Sequence, residues 1–223
     1  MKKYELTDDT VQFLCKTLHR IKALRDFGDV KAGDLGGYIE TESNLSHDGD
    51  AWVSGDAEVY GEAEVFGNAR VFGEAEVFGN ARVSDNAWVY GDAEVYGDAR
   101  VFGEAEVFGN ARVSDNAWVS GNARVLDNAW VLGDARVSGD AWVSGDARVR
   151  EPSDIALIKG FGSEFRATSF FRCVDGLVRC QCGCFYGTVD EFRSKVRETH
   201  GDSKYAKEYT MIADLMELHF KED

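Results

Sequence analysis

From Gly49 to Arg150 the chain repeats itself every six residues, seventeen times in a row and without an insertion. Each hexad opens on Gly or Asp and continues with Asp, Asn or Glu. It holds Ala at its third position and Val at its fifth, with Glu, Arg or Trp between them. Gly55–Tyr60 (GDAEVY), Gly79–Ser84 (GNARVS) and Asp115–Ser120 (DNAWVS) are representative. A unit this small cannot bury an apolar face alone, so the units must stack on one another as a solenoid. Alternation along an extended strand turns Ala and Val to one side and the fourth position to the other. The remaining three residues make a corner. Gly takes left-handed backbone angles there without steric cost, and Asp85, Asp115 and Asp127, each followed by Asn, are the next best substitutes.

Val followed by Ala four residues on (Val59 and Ala63, Val65 and Ala69) resembles the hexapeptide repeat of left-handed parallel β-helices. The resemblance implies three hexads per coil and a triangular cross-section. Seventeen hexads would then make between five and six coils, a stack of about 27 Å at roughly 4.8 Å per layer. Its ends are sheet edges and need covers. Ile39 and Leu45 keep the inward phase of Ala51, so irregular coils are expected from Gly37. Residues 1–36 are read as an N-terminal cap with a core of Leu18, Ile21, Leu24 and Phe27. Pro152, two residues past the last hexad, would stop the ladder.

The expected fold is therefore mainly β: a left-handed parallel β-helix over 37–150, the N-terminal cap, and a small α+β module over 151–223. In that module Ile155–Ile158, Phe165–Phe171 and Val178–Phe185 read as strands, the last with Cys180, Cys182 and Cys184 on one side. Thr188 with Glu191 is a capping-box signal. A helix with Val189, Phe192 and Val196 inward should follow and stop at Gly201. A second should run from about Ser203 to Phe220 with Tyr205, Tyr209, Ile212, Leu215 and Met216 inward.

Charge narrows the function classes. Forty acids against 25 bases give −15, and the hexads alone hold 18 acids and 8 arginines, or −10. Direct binding to nucleic acid or to an anionic membrane needs the opposite sign. No run of about 18 apolar residues is present for a membrane span. The opening MKKYELTDD turns acidic where a secretion signal has its apolar stretch. Five cysteines, odd in number and clustered late, do not read as a disulfide framework, so a reduced, cytoplasmic protein is expected.

The outward positions carry the candidate binding and interface residues. Trp52, Trp88, Trp118, Trp130 and Trp142 all occupy the fourth position. The corners add Tyr60, Phe66, Phe72, Phe78, Tyr90, Tyr96, Phe102 and Phe108. At 18 residues per coil one face reads Trp52, Arg70, Trp88, Glu106, Arg124, Trp142. The second reads Glu58, Glu76, Glu94, Arg112, Trp130, Arg148, and the third Glu64, Arg82, Arg100, Trp118, Arg136. Trp beside Arg suggests cation–π ladders worth ~0.5–1 kcal/mol each. The corner aromatics call for self-association, cover by another segment, or a binding surface. Residues 61–90 and 91–120 match at 26 of 30 positions. This five-hexad duplication is not a whole number of three-hexad coils, so the copy falls on different faces.

Catalytic chemistry finds little footing. Many proteins with the resembled fold are CoA-dependent acyltransferases with a His base between coils. Here His19, His47, His200 and His219 all lie outside the hexads, and no loop interrupts the coils. No catalytic residue and no cofactor is assigned. Cys173, Cys180, Cys182 and Cys184 are candidates for zinc, but their spacing is not a Cys-x-x-Cys knuckle, and the metal reading yields to packing. Cys184 and His200 would make a nucleophile pair only if the fold joined them.

Three stretches resemble a group of bacteriophage and prophage proteins: the opening KYELTDDT with LHRIKALRDFGDVKAGDLGGYIE, the hexads, and the tail CGCFYGTVDEFRSKVRETHGD. The resemblance implies an accessory role in a bacterial host cell. The expectation is a non-enzymatic solenoid scaffold that assembles as a trimer or dimer. It would bind a host or phage protein or a small ligand, blocking a host defence or sequestering that ligand. The alternatives are a hexapeptide-repeat acyltransferase and an acidic mimic that inhibits a nucleic-acid-handling protein. For the mimic, duplex DNA of the same length would carry about 16 negative charges.

Overall fold

The structure, a computed structural model, describes residues 2–13 and 15–221. Every hexad contributes one short strand at its fourth and fifth positions, from Trp52–Val53 to Arg148–Val149. These rungs sort into three parallel sheets. Partners lie 18 residues apart, as in Glu58 with Glu76, Arg100 with Trp118 and Arg124 with Trp142. The chain is thus a parallel β-solenoid of three hexads per coil. Its interior is the third- and fifth-position Ala and Val side chains, each no more than 1% exposed.

The ladder runs through the corners as well as the rungs. Asp56 N donates to Gly73 O at 2.9 Å, Glu58 N to Ala75 O at 3.0 Å and Tyr60 N to Val77 O at 3.0 Å. These N–H groups are thereby paired from one coil to the next. The corners need left-handed backbone: Asp85, Asp115 and Asp127 have φ of 59°, 58° and 61°. That conformation costs a residue with a Cβ roughly 1–2 kcal/mol. Each aspartate offsets it by accepting the N–H of the glycine one coil on: Gly103 at 3.1 Å, Gly133 at 3.0 Å and Gly145 at 3.0 Å.

At the N-terminal end, β1 (Tyr4–Phe13) and β2 (Lys16–Ala23) form an antiparallel hairpin. β3 (Leu35–Ile39) pairs antiparallel with β2 and parallel with the rung at Glu58. One solenoid sheet therefore grows to nine strands. The first coil leaves three alanine carbonyls to be met, and each has a different donor. Lys3 Nζ reaches Ala51 O at 2.7 Å, Tyr38 N reaches Ala57 O at 2.9 Å, and Asn44 Nδ2 reaches Ala63 O at 2.9 Å. Leu18, Ile21 and Phe27 are buried here as expected, but Leu24 is 45% exposed. It falls just beyond β2, where the chain turns away after its N–H bonds Lys3 O.

The C-terminal module is a four-stranded antiparallel sheet of Ile155–Ile158, Thr168–Arg172, Val178–Cys182 and Phe185–Thr188, followed by α1 (Val189–His200) and α2 (Lys204–His219). The capping box is present: Thr188 N donates to Glu191 Oε2 at 2.8 Å, and Glu191 N to Thr188 Oγ1 at 3.3 Å. Three expectations are corrected. The second strand starts at Thr168 rather than Phe165, because Phe165 has left-handed backbone at φ 52°. The third ends at Cys182, because Gly183 (φ 59°) turns the chain into a hairpin and puts Cys184 in the turn. On α2, Tyr205 and Leu215 are exposed, and the inward stripe is Ala206, Tyr209, Ile212, Ala213 and Met216.

The module closes the solenoid's other end. Ser169 Oγ accepts Trp142 N at 2.8 Å, and Asp154 Oδ2 accepts Arg150 N at 2.9 Å. Pro152 opens the short turn that places Asp154 there. Among the described residues no helix is long and apolar enough to cross a membrane.

Candidate functional site

Register decides what each outward side chain meets. Trp118 lies between Arg100 and Arg136, with each guanidinium 5.1 Å from an indole centroid. Trp130 lies between Arg112 at 5.3 Å and Arg148 at 5.1 Å. Trp142 has Arg124 at 5.4 Å. Trp52 is 4% exposed, covered edge-on by Tyr4 and Phe27 of the N-terminal segment.

The corner aromatics mostly stack on one another. Tyr60, Phe78 and Tyr96 form one column at 5.1 and 4.9 Å, and Phe13 covers its foot. Phe72, Tyr90 and Phe108 form a second, at 4.8 Å per step. Phe102 sets its ring edgewise on Trp118 at 6.0 Å. Near-parallel rings one rung apart satisfy the geometry aromatic pairs favour. Tyr60 is 7% exposed, and of the thirteen candidates only Phe66 (37%) and Trp88 (48%) have more than about a third of their surface open to solvent. Cover by another segment therefore accounts for Trp52 and Tyr60, and self-stacking for most of the rest.

Trp88 sits at one end of a trough of about 610 Å³, with Trp142 at the other. The floor between them is Glu106 and Arg124, paired at 2.9 Å. The wall is the row of second-position residues Asn86, Glu104, Asn122 and Asp140. Register places Glu106 and Arg124 on successive rungs between the two tryptophans, a span of about 14 Å. Tyr90 Oη donates to Glu106 Oε2 at 3.3 Å, and burial together with the nearby Glu106 raises the Tyr90 pKa. Asn122 and Lys159 hold the Asp140 carboxyl below its ordinary pKa, so it is a fixed negative charge near neutral pH. The trough thus joins one exposed indole with three carboxylates and one guanidinium.

A second cleft, of about 480 Å³, lies in the C-terminal module. Phe185, Phe192, Val196 and Tyr209 wall it, and Cys182, Cys184 and His200 also line it. The fold thus brings Cys184 and His200 to one cleft, which their sequence separation did not foretell. Its cations are engaged locally: Arg166 with Glu164 at 3.6 Å and Lys195 with Glu198 at 2.8 Å. Burial and the neighbouring Cys182 push the Tyr209 hydroxyl up to about 12.

The four candidate cysteines are not brought together as one face. Cys180 is buried in the module core, with Cys182 packed at its margin. Cys173 belongs to the solenoid core, and Cys184 is exposed in its turn. Among the described residues no three His, Cys, Asp or Glu side chains form a group able to hold a metal.

These coils are similar to a described repeat. The YdcK beta solenoid repeat matches residues 75–91, 105–121 and 117–133. No curated protein matches the chain. The stretches similar to the YdcK repeat include Asn86, Trp88, Glu106, Asn122 and Arg124, five of the eight residues that line the trough. The trough itself was not singled out from the sequence. Its signal was present in the 18-residue face order, where Trp88 is followed by Glu106 while Trp118 and Trp130 each have Arg on both sides.

Proposed function

We propose that this chain is a non-catalytic scaffold of the phage type. In this reading it is a left-handed, hexapeptide-repeat β-helix that pairs with a second copy of itself and presents its solenoid to a partner inside the bacterial cell. The handedness rests on the Val and Ala spacing and on corners held at positive φ. The non-catalytic reading rests on coils without a titratable base suited to acyl transfer. His19 lies in the N-terminal hairpin, His47 in the irregular coil before the first hexad, and His200 and His219 at the helix ends.

One observation carries self-association. On α2, Met211, Leu215 and Leu218 are 71%, 53% and 70% exposed. They recur at the spacing that puts side chains on one helix face, opposite the stripe that α2 buries. The acids near its end, Asp214 and Glu217, are paired with Arg193 of α1, and Lys204 at its start with Glu208, so the face offers apolar contact rather than free charge. Two copies laid antiparallel would bury Met211, Leu215 and Leu218 against their own equivalents. The aromatic rows are weaker candidates because they are already stacked within the chain.

Light scattering on the full chain tests the reading. A dimer that dissociates on Leu218→Glu supports it, and a monomer at all concentrations overturns it. Saturable acetyl-CoA binding by calorimetry would overturn the non-catalytic part.

A further inference from the structure

The five-hexad duplication supplies an internal comparison. Trp88 and Trp118 occupy equivalent positions in residues 61–90 and 91–120, yet the 30-residue step puts them in different sheets. Trp118 has Arg on both neighbouring rungs and a guanidinium toward each side. Trp88 has Arg70 on one rung and Glu106 on the other. Arg70 is drawn off to an ion pair with Asp29 of the N-terminal segment. Among the described residues no cation lies over the Trp88 ring, which is 48% exposed. Phe72 meets Trp88 edge-on at 5.9 Å, as Phe102 meets Trp118, so the difference is the arginine: the same solenoid that covers Trp118 and Trp130 with guanidinium leaves Trp88 without it, beside carboxylates.

An exposed indole beside carboxylates in a negatively charged trough attracts a cation twice over. The ring face draws it through its quadrupole and the carboxylates through charge. Glu104, Glu106 and Asp140 still outnumber Arg124, paired with Glu106, and Lys159, paired with Asp140, and the whole chain carries −15, which steers basic partners toward it. A guanidinium fits better than a compact ammonium, because its plane stacks on the indole while its edges donate to carboxylate oxygens.

We propose that the trough is a docking site for an arginine side chain presented by a partner protein. The guanidinium lies on Trp88 and replaces the intramolecular arginine found over Trp118. This deepens the scaffold reading above by naming the chemistry of its partner.

The test is calorimetric titration of the full-length protein with a capped Gly-Arg-Gly-Arg-Gly peptide. Its counterpart with citrulline at both arginine positions has nearly the same shape without the charge. The arginine peptide should bind at least tenfold more tightly than the citrulline peptide. Trp88→Ala should weaken binding about five- to tenfold, and Trp118→Ala should leave it unchanged. Glu106→Arg, which places on that rung a residue the solenoid accepts elsewhere, should fill the site from within and abolish binding.

Equal affinity for the two peptides would overturn the proposal. So would equal losses from the two tryptophan variants, or a response to chitohexaose in place of the peptide. Light scattering on the same samples separates this outcome from the self-association reading. A dimer that ignores the peptide overturns the docking site alone, and a monomer that binds it overturns the pairing alone.

Discussion

Phe170 and Phe171 are consecutive in the chain and belong to two different hydrophobic cores. The strand Thr168–Arg172 runs across the open end of the solenoid, and alternation sends its neighbouring side chains to opposite faces. Phe171 closes the column of Ala and Val side chains, while Phe170 meets Phe192 edge-on at 5.9 Å beneath the helices. One strand is thus the last layer of the solenoid and the first of the C-terminal module.

Two alanine substitutions should separate these roles. Each removes a fully buried phenyl ring and should cost about 3–5 kcal/mol locally. Phe170→Ala is expected to raise amide hydrogen exchange across α1 and α2 and leave the coils protected. Phe171→Ala should raise exchange in the last coil, including Trp142 and Val149. Uniform loss of protection in both variants would mean that the two cores unfold as one.

The aspartate corners predict an order of effects at one position. Asp127 has φ 61° and accepts Gly145 N–H at 3.0 Å. Asp127→Gly removes the strain and the hydrogen bond together, so thermal unfolding should move little, within about 0.5 kcal/mol. Asp127→Ala keeps the strain and loses the bond, and should cost about 2 kcal/mol. An alanine variant as stable as the glycine variant would remove the role given to the carboxylate.

Much of this architecture was legible in the hexads because each residue in a solenoid repeats its environment every 18 residues. The three face orders, the Arg–Trp contacts and the Ala–Val interior follow from that period. The ends were harder to read because there the period stops and single long-range contacts take over. Nothing in the sequence says that Lys3 would reach Ala51, or that Leu24 would fall outside the cap core while Leu18 fell inside. Helix α2 misled for a different reason: it is apolar on two faces, so Leu215 and Met216 look equally suited to burial, and only packing against Phe192 and Phe170 chooses between them. The status of Trp88 was half legible. Its Glu106 neighbour follows from the period, but the diversion of Arg70 to Asp29 depends on the folded N-terminal segment.

The stacked carboxylates Glu58, Glu76 and Glu94 lie on successive rungs of one sheet. Burial, and then repulsion from Glu76, raises the Glu58 pKa, and its Oε2 is buried without a hydrogen-bond partner. A raised carboxylate pKa means that the folded chain holds a proton which the unfolded chain has released. Stability from this group therefore falls as pH rises from the ordinary glutamate value through the raised one. Glu58→Gln should stabilise the protein at pH 7 and lose that advantage below about pH 4, where glutamate is protonated in both states. Chemical denaturation of the two proteins at both pH values checks this, and a constant difference between them would contradict it.

Lys3 gives the opposite sign at the other end of the scale. Its side chain is buried and donates to Ala51 O, and burial with repulsion from Arg25 lowers its pKa from 10.5 to about 8. Between those two values the unfolded chain keeps a proton that the folded chain has lost, so stability from this group rises with pH across that window. Below about 8 both states carry the charge and the cost of burying it stands in full. Lys3→Met removes that cost but leaves the Ala51 carbonyl without its donor, a loss of about 1–3 kcal/mol. Urea midpoints of the two proteins should therefore diverge between pH 7 and pH 10, with the natural chain gaining on the variant. Parallel midpoints over that range would show that Lys3 reaches the carbonyl from a solvated position, and the cap at the first coil would then rest on Tyr38 and Asn44 alone.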